Sequence, residues 1–205
     1  MSTPIPLFLA TSNPGKLREY RMMTDAMDIE LLLIPEFEKL PQFEESAPTF
    51  AENAAGKAMH YSRFVEGTVL ADDSGLVVPA LGGRPGIHSA RYAGPGASDE
   101  DRLRKLLREM EGREGEERRA RFVCVSAIAK NGRALAVVSD FVEGILTKDP
   151  RGKDGFGYDP IFFFEELGRT YAEATREEKN RFSHRGKAFR KIVKLLTSPD
   201  SATSH

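Results

Sequence analysis

The sequence has a single cysteine, Cys124, among its 205 residues, so no disulfide can close within the chain and a cysteine-rich zinc site is excluded. It also has almost no net charge: Lys and Arg number 30 against 31 Asp and Glu, a balance of −1. The broad basic field that nucleic-acid binding relies on is therefore missing. No apolar run nears the roughly 20 residues needed to cross a bilayer. The opening MSTPIPLFLATSN has neither the basic region nor the apolar length of a secretory leader. Acyl transfer is unsupported too, for lack of a Ser-His-Asp order or a GxSxG elbow. What is present is ordinary for a globular protein, 40% hydrophobic and 30% charged residues. A chain this long can bury about 70% of its unfolded surface without a metal or disulfide to staple it. The expectation is a cytoplasmic enzyme or small-ligand binder, with no membrane and no nucleic-acid partner.

Along the chain, IPLFLAT reads as a buried strand that ends at the turn signal SNPG. Helical spacing then puts Leu17, Tyr20, Met23 and Met27 on one stripe, with Ser12 or Asn13 as cap and Pro14 in the first turn. Residues 29–34 read as a strand and 35–48 as a loop. Thr49 and Glu52 form a capping box for a helix expected to run to Gly67. Thr68 to Ala71 is a third strand, running into the loop Asp72-Asp73-Ser74-Gly75. GGRPGIHSARYAGPGAS is too rich in Gly and Pro for regular structure. Ser98 opens a helix through Met110, and EGREGEERR reads as a charged surface loop. Two β-rich runs around Asn131-Gly132 form a hairpin long enough to project as a twisted ribbon. IFFF is a further strand, the last third is helical, and 199–205 reads as a frayed tail. The fold class is α/β: one domain over residues 1–198, with a central mixed, twisted sheet, flanking helices and two lobes around a cleft.

Four sets of residues stand at strand ends, where open α/β sheets place their ligands. Thr11, Ser12, Asn13, Pro14, Gly15 and Lys16 form a small, polar strand-to-helix turn whose N–H groups and lysine suit an anion, though an ordinary capped turn reads as well. Asp72 and Asp73 follow an apolar strand, which is expensive unless a cation such as Mg²⁺ meets them. Because side chains alternate on a strand, one of the pair can face a ligand while the other braces backbone. Glu44-Glu45 could complete a metal site with Asp73, but a Glu pair in a loop is usually just solvated. GFGYD offers the Phe156 ring beside the Asp159 carboxylate, the parts needed to stack on a base and accept from its edge. Lys179 and Ser183-His184-Arg185 supply donors, within a 176–194 stretch holding eight Lys and Arg. Cys124 in its apolar strand reads as core, and His60 and His88 as structural.

Six of these pieces occur in an order that resembles one family: LATSNPGKLREY, EESAPTFAENAAGKA, ADDSGLVVPALGGRPGIHSARYAG, RFVCV, GFGYDPIF and AEATREEKNRFSHRGKA. The chain is similar, over nearly its whole length, to the inosine triphosphate pyrophosphatases, also called Ham1-like proteins. The resemblance implies Mg²⁺-dependent hydrolysis of ITP, dITP and XTP to monophosphate and pyrophosphate by a cytoplasmic homodimer that cleanses the nucleotide pool. It implies that Thr11 to Lys16 hold the triphosphate, with Lys16 stabilising charge in catalysis. Asp73 becomes general base and metal contact, with Ser74 beside it. Glu44 becomes the second metal ligand, with Glu45 one residue away as the alternative. Phe156, Gly157, Tyr158, Asp159, Lys179, His184 and Arg185 become the nucleotide contacts, chiefly to the base.

Overall fold

The apolar runs of the sequence become a seven-stranded sheet in a computed structural model that describes residues 3–25 and 27–198. Its strands are β1 Ile5–Leu9, β2 Ile29–Leu33, β3 Thr68–Val77, β4 Arg119–Lys130, β5 Arg133–Leu146, β6 Phe162–Phe164 and β7 Arg169–Thr170, in the spatial order β2-β1-β3-β4-β5-β6-β7. β1 pairs in parallel with β2 and β3, and β6 pairs antiparallel with β5 and β7, so the sheet is mixed, as expected. The α-helices among the described residues are α1 Pro14–Thr24, α2 Phe50–Tyr61, α3 Asp99–Glu109, α4 Arg176–Phe182 and α5 His184–Thr197. Among the described residues no helix is long and apolar enough to cross a membrane.

Side chains set the helix ends, by accepting from N–H groups that a first turn leaves without partners. Asn13, not Ser12, caps α1. Thr49 caps α2, its hydroxyl accepting from the Glu52 N–H at 3.1 Å and donating to the Glu52 carboxylate at 2.7 Å. Ser98 with Asp101, and Thr175 with Glu178, close reciprocal boxes on α3 and α4. Three boundaries differ from expectation. Met27 falls beyond the end of α1, yet still packs against the same core. α2 stops at Tyr61, well short of Gly67, where the Ser62 N–H bonds the Ala58 carbonyl at 3.0 Å. The Gly- and Pro-rich stretch contains a 3₁₀ helix, Gly86–Arg91, and the charged stretch another, Gly115–Arg118. Arg118, expected at the surface, is buried, because its guanidinium donates to the carbonyls of Leu146 at 2.6 Å, Thr147 at 2.7 Å and Met110 at 3.2 Å.

The chain groups into two compact units. One takes the chain up to Asp73, Cys124–Asp140 and everything from Arg185; the other takes Ser74–Val123 and Phe141–His184. The first unit has a core on each face of its strands. Ala10, Val69, Ala71, Val125, Ala127 and Ala129 pack against Ala54, Ala58 and Tyr61 of α2. Leu7, Leu9, Leu70 and Ile128 pack against Tyr20 and Met23 of α1 and Phe189 and Ile192 of α5. The second unit has one core, in which Leu103, Leu106 and Met110 meet Phe122, Phe162 and Tyr171. The expected tail at 199–205 lies outside the described residues.

The hairpin corrects an expectation. Asn131 and Gly132 turn with φ of 51° and 77°, the geometry of a two-residue hairpin turn. Of its two strands β4 is not free to project: it lies within the sheet, between β3 and β5. The reason is apolar surface on both faces of β4. Val125, Ala127 and Ala129 serve one core and Ile128 the other, so the strand is stable only when covered twice.

Candidate active site

In the first unit the chemistry sits on β3. Asp72 and Asp73 are not in a loop after the strand, as the sequence suggested, but within it, and both are buried. Alternation sends them to opposite faces. Asp72 lies on the side of α1 and α5. Its Oδ2 is 3.0 Å from Lys16 Nζ and 3.3 Å from Arg185 Nε, and Cys124 Sγ lies at 3.8 Å. Arg185, buried to 2% exposure, also pairs with Glu19 of α1. Burial alone would raise the Asp72 carboxyl, but the charges of Lys16, Arg185 and Lys57 outweigh it and hold the group far below the usual carboxylate range.

Asp73 faces α2. Its Oδ2 accepts from Asn53 Nδ2 at 2.9 Å. Here burial dominates and raises the carboxyl, and the nearby Glu45 charge adds to that; the Asn53 bond and the lysines pull only partly against it. Lys57, one turn beyond Asn53 on α2, pairs with Glu45 and donates to the Asp72 carbonyl at 2.8 Å. Burial opposes its charge, yet Asp72 and Glu45 more than restore it, so its proton is held more tightly than usual. One aspartate is thus fixed as an anion and its neighbour is made a better proton acceptor.

The two glutamates considered as metal ligands differ in their surroundings. Glu44 is exposed, whereas the Glu45 carboxylate is the one that meets Lys57 and bears on Asp73. Asn53, Lys57 and Glu19 were not singled out from sequence. Asn53 and Lys57 stand four apart on an otherwise Ala-rich helix face, a spacing that aims two polar groups the same way and was a usable signal. Glu19 carried none, because its partner Arg185 is 166 positions away.

The turn before α1 is tightly bonded. Asn13 Oδ1 accepts from the N–H groups of Gly15 at 2.8 Å and Lys16 at 3.1 Å, while the Asn13 N–H donates to Thr11 Oγ1 at 3.1 Å. The first N–H groups of the helix, expected to face an anion, are therefore capped by Asn13, and the positive charge at this end of α1 comes from Lys16.

In the second unit the chemistry sits on a loop. Phe156 follows Gly155 and precedes Gly157, with φ of 78° and 62° at the two glycines. The buried Asp159 closes the loop from inside: its Oδ2 accepts from the Phe156 N–H at 2.8 Å and pairs with the Lys179 ammonium. That ammonium also lies 4.7 Å from the Phe156 ring centre. The Tyr158 hydroxyl donates to the Ser89 carbonyl at 3.0 Å, and burial raises its pKa. His184 is buried and stacks on Phe122, 4.8 Å between ring centres and 9° between planes. Ser74 is half-buried in β3, next along the chain from Asp73. No cluster of three or more His, Cys, Asp or Glu with metal-holding geometry occurs among the described residues.

Comparison with known proteins gives one family. Residues 7–195 match the model of the Ham1 family. A dITP/XTP pyrophosphatase from Geobacillus kaustophilus is 48% identical over 186 residues, 91% of each chain. One from Bacillus subtilis is 43% identical and covers 92% of this chain and 95% of its own. Among solved structures, a HAM1 protein from Coxiella burnetii superposes with a TM-score of 0.82 at 40% identity, covering 94% of this chain and 98% of its own. The Staphylococcus aureus Ham1 protein gives 0.81 at 37%, covering 93% and 97%. With a family match across nearly its whole length and a relative 48% identical over 91% of the chain, the chain belongs to the Ham1 family.

Proposed function

We propose that the chain is a nucleoside triphosphate pyrophosphatase. It hydrolyses ITP, dITP and XTP with Mg²⁺, releases pyrophosphate, and so keeps non-standard purines out of nucleic acids. The observation that carries this reading is the divided aspartate pair, Asp72 held as an anion by three cations and Asp73 beside it with raised proton affinity. The names of the relatives, dITP/XTP pyrophosphatase, support the substrate class.

The reaction forms a bond from a water oxygen to the α-phosphorus and breaks the bridge to the β-phosphate. The electron pair leaves with pyrophosphate, and the water gives up a proton. Asp73, whose Oδ2 is oriented by Asn53 Nδ2 at 2.9 Å, is the acceptor for that proton. Lys16, anchored by Asp72 at the head of α1, brings positive charge to the triphosphate. Asp73 and Glu45 offer the all-oxygen donors that Mg²⁺ takes, and the Glu45 charge bearing on buried Asp73 is what a divalent cation relieves. Glu45 therefore takes the role first given to Glu44. Bound there, Mg²⁺ supplies neutralisation of charge on the phosphoryl oxygens.

The base goes to Phe156, Asp159 and Lys179 of the second unit. A 6-oxo purine presents an acceptor to their donors. Adenine presents an amino group there, and donor facing donor costs discrimination of about 10⁴-fold or more. The same reading makes the protein a cytoplasmic homodimer acting on free nucleotides. Leu135 and Val137, 55% and 46% exposed at alternate positions of β5, are apolar surface a second copy would cover. Light scattering that finds only monomer at micromolar concentration overturns the dimer.

The test of the activity is a Mg²⁺-dependent panel of ITP, dITP, XTP, GTP, ATP and dUTP that scores pyrophosphate separately from orthophosphate. Pyrophosphate from the inosine and xanthosine nucleotides, with little from ATP or GTP, is expected. Orthophosphate as first product overturns the cleavage site, and pyrophosphate chiefly from dUTP overturns the base assignment.

A further inference from the structure

We infer that Asp99 is a positioning residue for the base: through Gly157 it fixes the loop on which Phe156 is mounted, as part of a brace formed by residues 86–102. The inference rests on the reading above that Phe156 meets the base.

Phe156 lies between two glycines in left-handed conformations, so its own backbone has little intrinsic stiffness. On one side the loop is tied internally, by the Phe156 N–H to Asp159. On the other side its tie is external: the Gly157 N–H donates to Asp99 Oδ2 at 2.8 Å. A Cβ built on Gly157 would meet nothing within 4 Å, so the contact this residue makes across to α3 is the hydrogen bond of its backbone. A bond to an ionised carboxylate is roughly twice as strong as a neutral one.

Asp99 is itself held. Its other oxygen pairs with Arg102, and Arg102 donates to the carbonyls of Ala90 at 2.8 Å and Ala97 at 2.6 Å. A second tie runs in parallel, from the Tyr158 hydroxyl to the Ser89 carbonyl. Ser89 is fixed in turn by donating to the Gly86 carbonyl at 2.6 Å and accepting from the Leu76 N–H at 2.9 Å. Residues 86–102 thus present one carboxylate, from Asp99 at the head of α3, and one carbonyl, from Ser89 in the Gly- and Pro-rich stretch, to two consecutive residues of the aromatic loop. Asp99 and Ser89 act on Phe156 through its neighbours, the Gly157 backbone and the Tyr158 side chain.

The experiment compares Asp99→Ala, Asp99→Asn, Phe156→Ala and the double alanine variant, in steady-state pyrophosphate release from dITP and in inhibition by inorganic tripolyphosphate, which has no base. Asp99→Ala should raise KM about tenfold, with kcat within twofold and the tripolyphosphate inhibition constant unchanged. Asp99→Asn, which keeps an acceptor for the Gly157 N–H, should restore most of the KM. The double variant should be no worse than Phe156→Ala alone, because both changes remove one function. Three results overturn the inference: wild-type KM in Asp99→Ala while Phe156→Ala is impaired, multiplying effects in the double variant, or tripolyphosphate inhibition weakening in step with KM. A wild-type KM in Phe156→Ala overturns the base assignment itself, and the inference with it.

Discussion

The first unit mounts its reactive groups on a strand, and the second mounts them on a loop. Asp72 and Asp73 occupy consecutive positions of β3, so the pleat alone decides where each points, and burial demands that Lys16, Lys57 and Arg185 surround them. Phe156 and Asp159 occupy a turn hinged by glycines, and backbone hydrogen bonds decide where each points. A strand fixes geometry and makes electrostatics the cost; a loop avoids that cost and needs braces. Damage to the first should therefore reach chemistry and folding, and damage to the second should reach binding.

The largest expected effect is on chemistry. Asp73→Asn should cut turnover by about 10²–10⁴-fold. It should not cost stability, because burial and Glu45 make the ionised carboxylate unfavourable in the folded protein, and an amide removes that charge. Pyrophosphate release together with urea melts checks both halves, and near-wild-type turnover removes Asp73 from its role.

Asp72 should behave in the opposite way. Asp72→Ala takes the buried carboxylate from Lys16 and leaves Arg185 only Glu19, and should cost about 3–5 kcal/mol in urea melts. Its pH dependence has a definite sign. The folded carboxyl is held below its unfolded value of about 4, so its contribution is full above that pH and is lost as the pH falls below it. In metal-free buffer the wild type should lose stability on that acid limb, and Asp72→Asn should flatten it. Gly155→Ala is the matching lesion in the loop. Its Cβ would collide with Asp159 Oδ2 at a φ of +78°, so about 1–3 kcal/mol of strain and a raised KM are expected, with kcat kept. Equal stability losses in the two variants would dissolve the contrast between strand and loop.

A smaller effect separates neighbours. Glu45→Gln should raise the Mg²⁺ concentration for half-maximal activity at least about tenfold, by removing one of two hard oxygen donors. Glu44→Gln, altering an exposed side chain, should leave it within twofold. A Mg²⁺ titration of the two variants decides between them.

The sequence made these regions legible to different depths. Helix starts were readable because caps are local: Thr49 with Glu52, and Ser98 in the turn it closes, are three residues from their partners. Helix ends were less so; Gly67 looked like a stop, but the chain had left the helix at Tyr61. The aspartate pair was visible as costly chemistry after an apolar strand, yet its place inside β3 was not. A strand carrying two carboxylates reads as ended unless the compensating cations are known, and Lys16 and Arg185 lie 56 and 113 positions from Asp72. The difference in setting between Glu44 and Glu45 was not readable either, because it comes from Lys57, twelve positions from Glu45 on a different element. The motifs themselves were sufficient for the family.

The smallest effect is a rate that should not move, and it sharpens the comparison most directly. Cys124 is fully buried, and burial first, then the Asp72 charge, pushes its thiol up to about 12. The thiolate is the reactive form, so at pH 8 the native protein should resist a disulfide reagent and give one equivalent only in denaturant. Cys124 Sγ lies 3.8 Å from Asp72 Oδ2, within the strand-borne cluster. Labelling then reports opening of that cluster, at a rate set by the free energy of opening. Asp72→Ala should speed it by about 10²-fold or more, following its loss of stability. Gly155→Ala should change it by less than about tenfold, since its lesion lies in the loop. If both variants expose the thiol equally, the two regions unfold as one, and a loop hinge is as deeply wired into the fold as a buried ion cluster.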